Sequence, residues 1–109
     1  MNESWITMDF TAFKQSLTGI EPPGSLAIHL KALWYDGKGD WEQAHTIIQD
    51  IHDTAAAEIH AYLHRKEGDQ WNADYWYRRA GSKSPDLTLD EEWSTLIIKL
   101  LRLKSSLNR

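Results

Sequence analysis

The chain has 109 residues, 16 acidic against 12 basic side chains for a net charge of −4, five histidines, six tryptophans and no cysteine. At 41% hydrophobic and 26% charged it reads as one globular domain over 1–109, and its acidic balance argues against nucleic acid, whose phosphates call for clustered Lys and Arg. The missing cysteines exclude disulfides and thiolate chemistry, as expected of a cytoplasmic protein; no apolar run approaches the roughly 20 residues that span a bilayer, and the amino terminus has no leader-like segment, so no membrane partner is expected.

No stretch alternates with period two, and the punctuation predicts about six helices, an all-α fold. The first, Asp9 to Leu17, begins at an acidic cap and stops at Thr18-Gly19. Pro22-Pro23-Gly24 forces a turn before a second helix from Ser25 to Tyr35, which ends at Asp36-Gly37-Lys38-Gly39. Asp40 caps the third, with Gln43 as capping-box partner and an apolar pattern reaching Ile51. Asp53 or Thr54 opens the fourth, carried by three alanines through Lys66 and closed by Gly68. Asp69 caps the fifth, which reaches Ala80 before Gly81. Thr88 and Glu91 form a capping box for the last, Leu89 to Ser105.

Two of these turns repeat. Gly39-Asp40 and Gly68-Asp69 lie 29 residues apart, and in that register Ala27 falls on Ala56, Leu30 on Ile59, Ala32 on Ala61, Ala44 on Ala73 and Ile47 on Trp76. Alanine lets paired helix backbones approach, and Gly-Asp ends one helix and caps the next. The hairpins 25–51 and 54–80 are therefore expected to superpose, with the first and last helices as caps at either end.

The segment Gly68-Asp69-Gln70-Trp71-Asn72-Ala73-Asp74-Tyr75-Trp76-Tyr77-Arg78-Arg79-Ala80, followed by Pro85, resembles the second helix of a tetratricopeptide (TPR) motif, and Gly39-Asp40-Trp41-Glu42-Gln43-Ala44-His45 resembles the same helix start. The spacing departs from that family's period of about 34 residues, and the Leu-Gly-x-x-Tyr signature of its first helix is missing. From His29 to Leu101 the chain is also similar to a small family of uncharacterised bacterial proteins, through Ala32-Leu33-Trp34-Tyr35, His60-Ala61-Tyr62-Leu63-His64-Arg65 and Asn72-Ala73-Asp74-Tyr75-Trp76-Tyr77-Arg78-Arg79-Ala80-Gly81. That resemblance carries no assigned activity.

Helical projection leaves a surplus on the fifth helix. Ala73, Trp76, Tyr77 and Ala80 fill one face, while Trp71, Tyr75 and Arg78 line the opposite one. The surplus face is expected to be covered by the last helix, whose Leu96, Ile97, Leu100 and Leu101 need a surface; the alternative is a groove or dimer interface. A second concentration joins His60, His64 and Arg65 to Tyr75, Arg78 and Arg79, where arginine forks suit carboxylates and also stack on rings. His60 and His64, at i and i+4, have the spacing that lets two imidazoles converge on one ion, but a complete ligand set and a zinc-peptidase glutamate are missing, so neither a metal nor another cofactor is expected. No catalytic constellation stands out. The sequence thus predicts a non-enzymatic interaction module that binds an acidic or aromatic peptide, or a second copy of itself, through Trp71, Tyr75 and Arg78 or through His60, His64, Arg65 and Arg79. The alternative is a small enzyme or metal protein using His60, His64 and either His29 or His45.

Overall fold

A computed structural model describes residues 8–107, with side chains through 103; the reading of the amino terminus falls outside these. Six helices follow in order, α1 (Phe10–Ser16), α2 (Ile28–Gly37), α3 (Trp41–Ile48), α4 (Thr54–Lys66), α5 (Gln70–Arg79) and α6 (Leu89–Leu107), and no strand occurs among the described residues. The fold is all-α.

The acidic caps sit where the punctuation places them. Asp9, Asp40, Asp53 and Asp69 accept from the backbone N–H of Ala12, Gln43, Ala56 and Asn72, and so satisfy donors that each helix start leaves without an intrahelical partner. At α6 the capping box closes in both directions: Glu91 N–H donates to Thr88 Oγ1 at 3.1 Å, and Thr88 N–H to Glu91 Oε1 at 2.9 Å. Two ends differ by three residues from the sequence reading. The segment from Pro23 forms a turn, with Leu26 N–H donating to Pro23 O, so α2 starts at Ile28; a turn from Ile48 to Ile51 closes α3 three residues early.

The repeated turns share one geometry. Gly39 and Gly68 take φ of 85° and 91°, and the following Asp N–H reaches back to Tyr35 O in one case and His64 O in the other, each at 2.9 Å. This is a Schellman ending, in which a left-handed residue turns the last carbonyls back toward donors. Gly81, with φ of 75°, ends α5 in the same way.

Helices α2 and α3 pair as one hairpin, α4 and α5 as the next, and α3 lies against α4. Helix α2 is central, meeting α3, α4 and α6, whereas α5 packs on α4. Phe13, Leu30, Leu33, Trp34, Ile48, Ile59, Leu63 and Ile97 form the buried centre. Indole N–H groups tie its rim together: Trp34 donates to Ser16 Oγ, Trp41 to Leu63 O and Trp93 to Leu33 O. Two buried carboxylates cross-link the elements. Asp36 accepts from Tyr62 Oη at 2.6 Å and Lys66 Nζ at 2.8 Å, and Glu92 accepts from Tyr77 Oη at 2.6 Å and Arg65 at 2.7 Å. Burial first, and the adjoining carboxylate second, hold both phenols well above the ordinary tyrosine range, so each serves as a fixed donor.

Candidate functional site

Helix α4 is where the two hairpins meet, and its histidines face inward. His60 and His64 are 6% and 7% exposed. Their rings stack on each other with centroids 4.8 Å apart, as i, i+4 neighbours on one helix face can. His45 enters from α3, and its Nε2 lies 3.1 Å from His60 Nε2. Ring nitrogens of His45, His60 and His64 all lie within 4.8 Å of one another.

Two indoles fix this cluster. Trp41 stacks on His45 at 4.9 Å and 8° between planes, and its N–H bond to Leu63 O pins it across the α3–α4 contact. Trp76 of α5 stacks on His60 at 4.0 Å and 17°. Glu67, in the turn after α4, places Oε2 at 2.7 Å from His64 Nδ1. A carboxylate accepting from Nδ1–H leaves the lone pair of that imidazole on Nε2. Burial, then the neighbouring His64 and His45, pushes the His60 imidazole down to about 4; burial and then His64 lower His45 as well. Both are uncharged imidazoles at neutral pH, and one Nε2–H donates to the lone pair of the other.

The remaining predicted residues separate. Arg65 points away from the histidines, bound to Glu92 Oε1 and to Leu87 O at the start of α6. Trp71, Tyr75, Arg78 and Arg79 lie on the outer side of α5, with Trp71 82% and Tyr75 41% exposed. The expected cover by the last helix is therefore corrected. Helix α6 packs against α1, α2 and α4, where Leu96, Ile97 and Leu101 are buried, and leaves the Trp71 face open. Arg79 holds its guanidinium 5.9 Å from the Tyr75 ring centre and 5.7 Å from that of Trp76, so it borders both the outer face and the histidine clamp. A recess of about 190 Å³ beside it is edged by His52, Thr54, Ala57, Trp76 and Arg79.

His29, the other histidine considered with His60 and His64, is remote in role: its Nε2 meets both carboxylate oxygens of Asp53 at 3.0 Å. The third member of the cluster is His45. Spacing along the chain does not single it out, because it depends on how α3 crosses α4. Among the described residues no helix is long and apolar enough to cross a membrane. No protein-family model, curated protein or solved structure matches the chain.

Proposed function

We propose that this chain is a non-enzymatic interaction module built on two TPR-like hairpins, and that the outer face of α5 takes an acidic peptide segment. The observation that carries the reading is the exposure of Trp71, at 82%, on a helix whose opposite face is already packed on α4. Tryptophan, tyrosine and arginine are the residue types that dominate binding energy at interfaces, and here they stand within two helical turns. Charge selects the occupant. Among the described residues no ion pair engages Arg78 or Arg79, while Asp74 beside them accepts from Gln70. Two guanidinium groups next to two aromatic faces suit carboxylates flanked by apolar side chains. His60 stacks on Trp76 behind this face, and His64 and Arg65 are engaged elsewhere.

The test is a titration of the full chain with a fluorescein-labelled peptide of alternating glutamate and phenylalanine, read by anisotropy, beside sedimentation of the protein alone. Saturable binding to a monomer is expected, weakened by salt and abolished by Trp71→Ala with Arg78→Glu. Binding that survives those substitutions, or no binding at all, would contradict the reading. A wild-type dimer that Trp71→Ala turns into a folded monomer would assign the face to a second copy instead.

A further inference from the structure

We propose that His45, His60 and His64 form a zinc site that joins the two hairpins, with Glu67 as the outer-shell carboxylate that orients His64. The inference goes beyond peptide binding and uses none of the residues of the outer α5 face.

Ligand geometry supports it first. Zinc bound to imidazole at about 2.0–2.1 Å in a tetrahedron holds its nitrogens about 3.4 Å apart. His45 Nε2 and His60 Nε2 already stand at 3.1 Å, and a ring nitrogen of His64 completes a set within 4.8 Å. Rotation of the three rings would bring these nitrogens around one ion. The ligands come from α3 and α4, so the bound ion would add a cross-link between hairpins already joined by the Asp36 and Trp41 hydrogen bonds.

Outer contacts support it independently. Metal-bound histidines commonly donate their second ring N–H to a carboxylate, which fixes the tautomer and strengthens the donor; Glu67 holds that place on His64 Nδ1. The stacked Trp41 and Trp76 restrain the rings of His45 and His60. A second grouping, His64 with Glu67 and Asp69, is the weaker one, because Asp69 caps α5 and Glu67 is engaged by His64 itself. Three imidazole nitrogen donors with no thiol suit zinc, and the position left beyond them falls to water or a small ligand.

The experiment uses the full untagged chain, stripped with chelator and titrated with zinc, with cobalt(II) as spectroscopic substitute. One equivalent per chain, a four-coordinate cobalt spectrum and a higher melting temperature with zinc are expected. His45→Gln and His60→Gln should abolish binding, Glu67→Gln should weaken it by about 10–100-fold, and His29→Gln and His52→Gln should leave it intact. His60 is buried, so if its variant fails to fold, the half-buried His45 and the exposed Glu67 still decide the matter. The site is overturned by absent or unsaturable binding, by a six-coordinate cobalt spectrum, or by binding that persists in His45→Gln. Equal loss in the His29 and His52 controls would also defeat it.

Discussion

Asp53 does two things at the start of α4: its carboxylate accepts from Ala56 N–H at 2.8 Å, and both oxygens meet His29 Nε2. Burial works against the charged carboxylate, but the backbone bond and His29 outweigh it and hold the group below the usual carboxylate range. A depressed folded-state value means that stability from this cap is fully present above about pH 4 and is lost as the pH falls through the lowered value. Asp53→Ala should therefore cost about 0.5–2 kcal/mol at neutral pH, and the gap from wild type should shrink in acid; denaturant melts across pH check this, and a gap that widens in acid would contradict it. The capping role was legible in the sequence, as was the i, i+4 pair of His60 and His64. The approach of His45 was not, because helix spacing says which residues share a face and nothing about which helix arrives to meet it.

At the scale of elements, the Gly-Asp turns were read correctly because cap chemistry is local: a left-handed residue and an acceptor one position later suffice. Packing between elements is less local, and Gly37 shows why. A Cβ there would sit 2.8 Å from the Trp93 ring and 3.1 Å from Leu17, and Trp93 is held by its bond to Leu33 O. Gly37→Ala gains helix propensity in α2 but drives a methyl into that ring, so we expect a net loss of about 1–3 kcal/mol by denaturant melt. A variant more stable than wild type would show that Trp93 can yield. Within the second hairpin Ala73 is buried with Ala61 and Tyr77 where α5 pairs with α4. Ala73→Leu should overpack it by about 1–3 kcal/mol, and a parent-like melt would contradict the contact.

For the whole molecule, the six-helix class was legible from punctuation, but the position of α6 was not. Its apolar stripe requires a partner, yet the stripe alone does not choose between the centre formed by α1, α2 and α4 and the outer side of α5. The centre offers Phe13, Leu33 and Trp34 for burial, with Glu92 bonded to Tyr77 and Arg65 to anchor the near end of α6. The consequence is a division on α5: Trp76 is turned inward onto His60, and Trp71 outward into solvent. Trp71→Ala tests that division through the acidic-peptide isotherm at a temperature where wild type and variant are both folded. We predict a variant within about 0.5 kcal/mol of wild-type stability that has lost its peptide binding. A variant that binds as wild type does, or one destabilised by the roughly 3–5 kcal/mol of a truncated core aromatic, would contradict it.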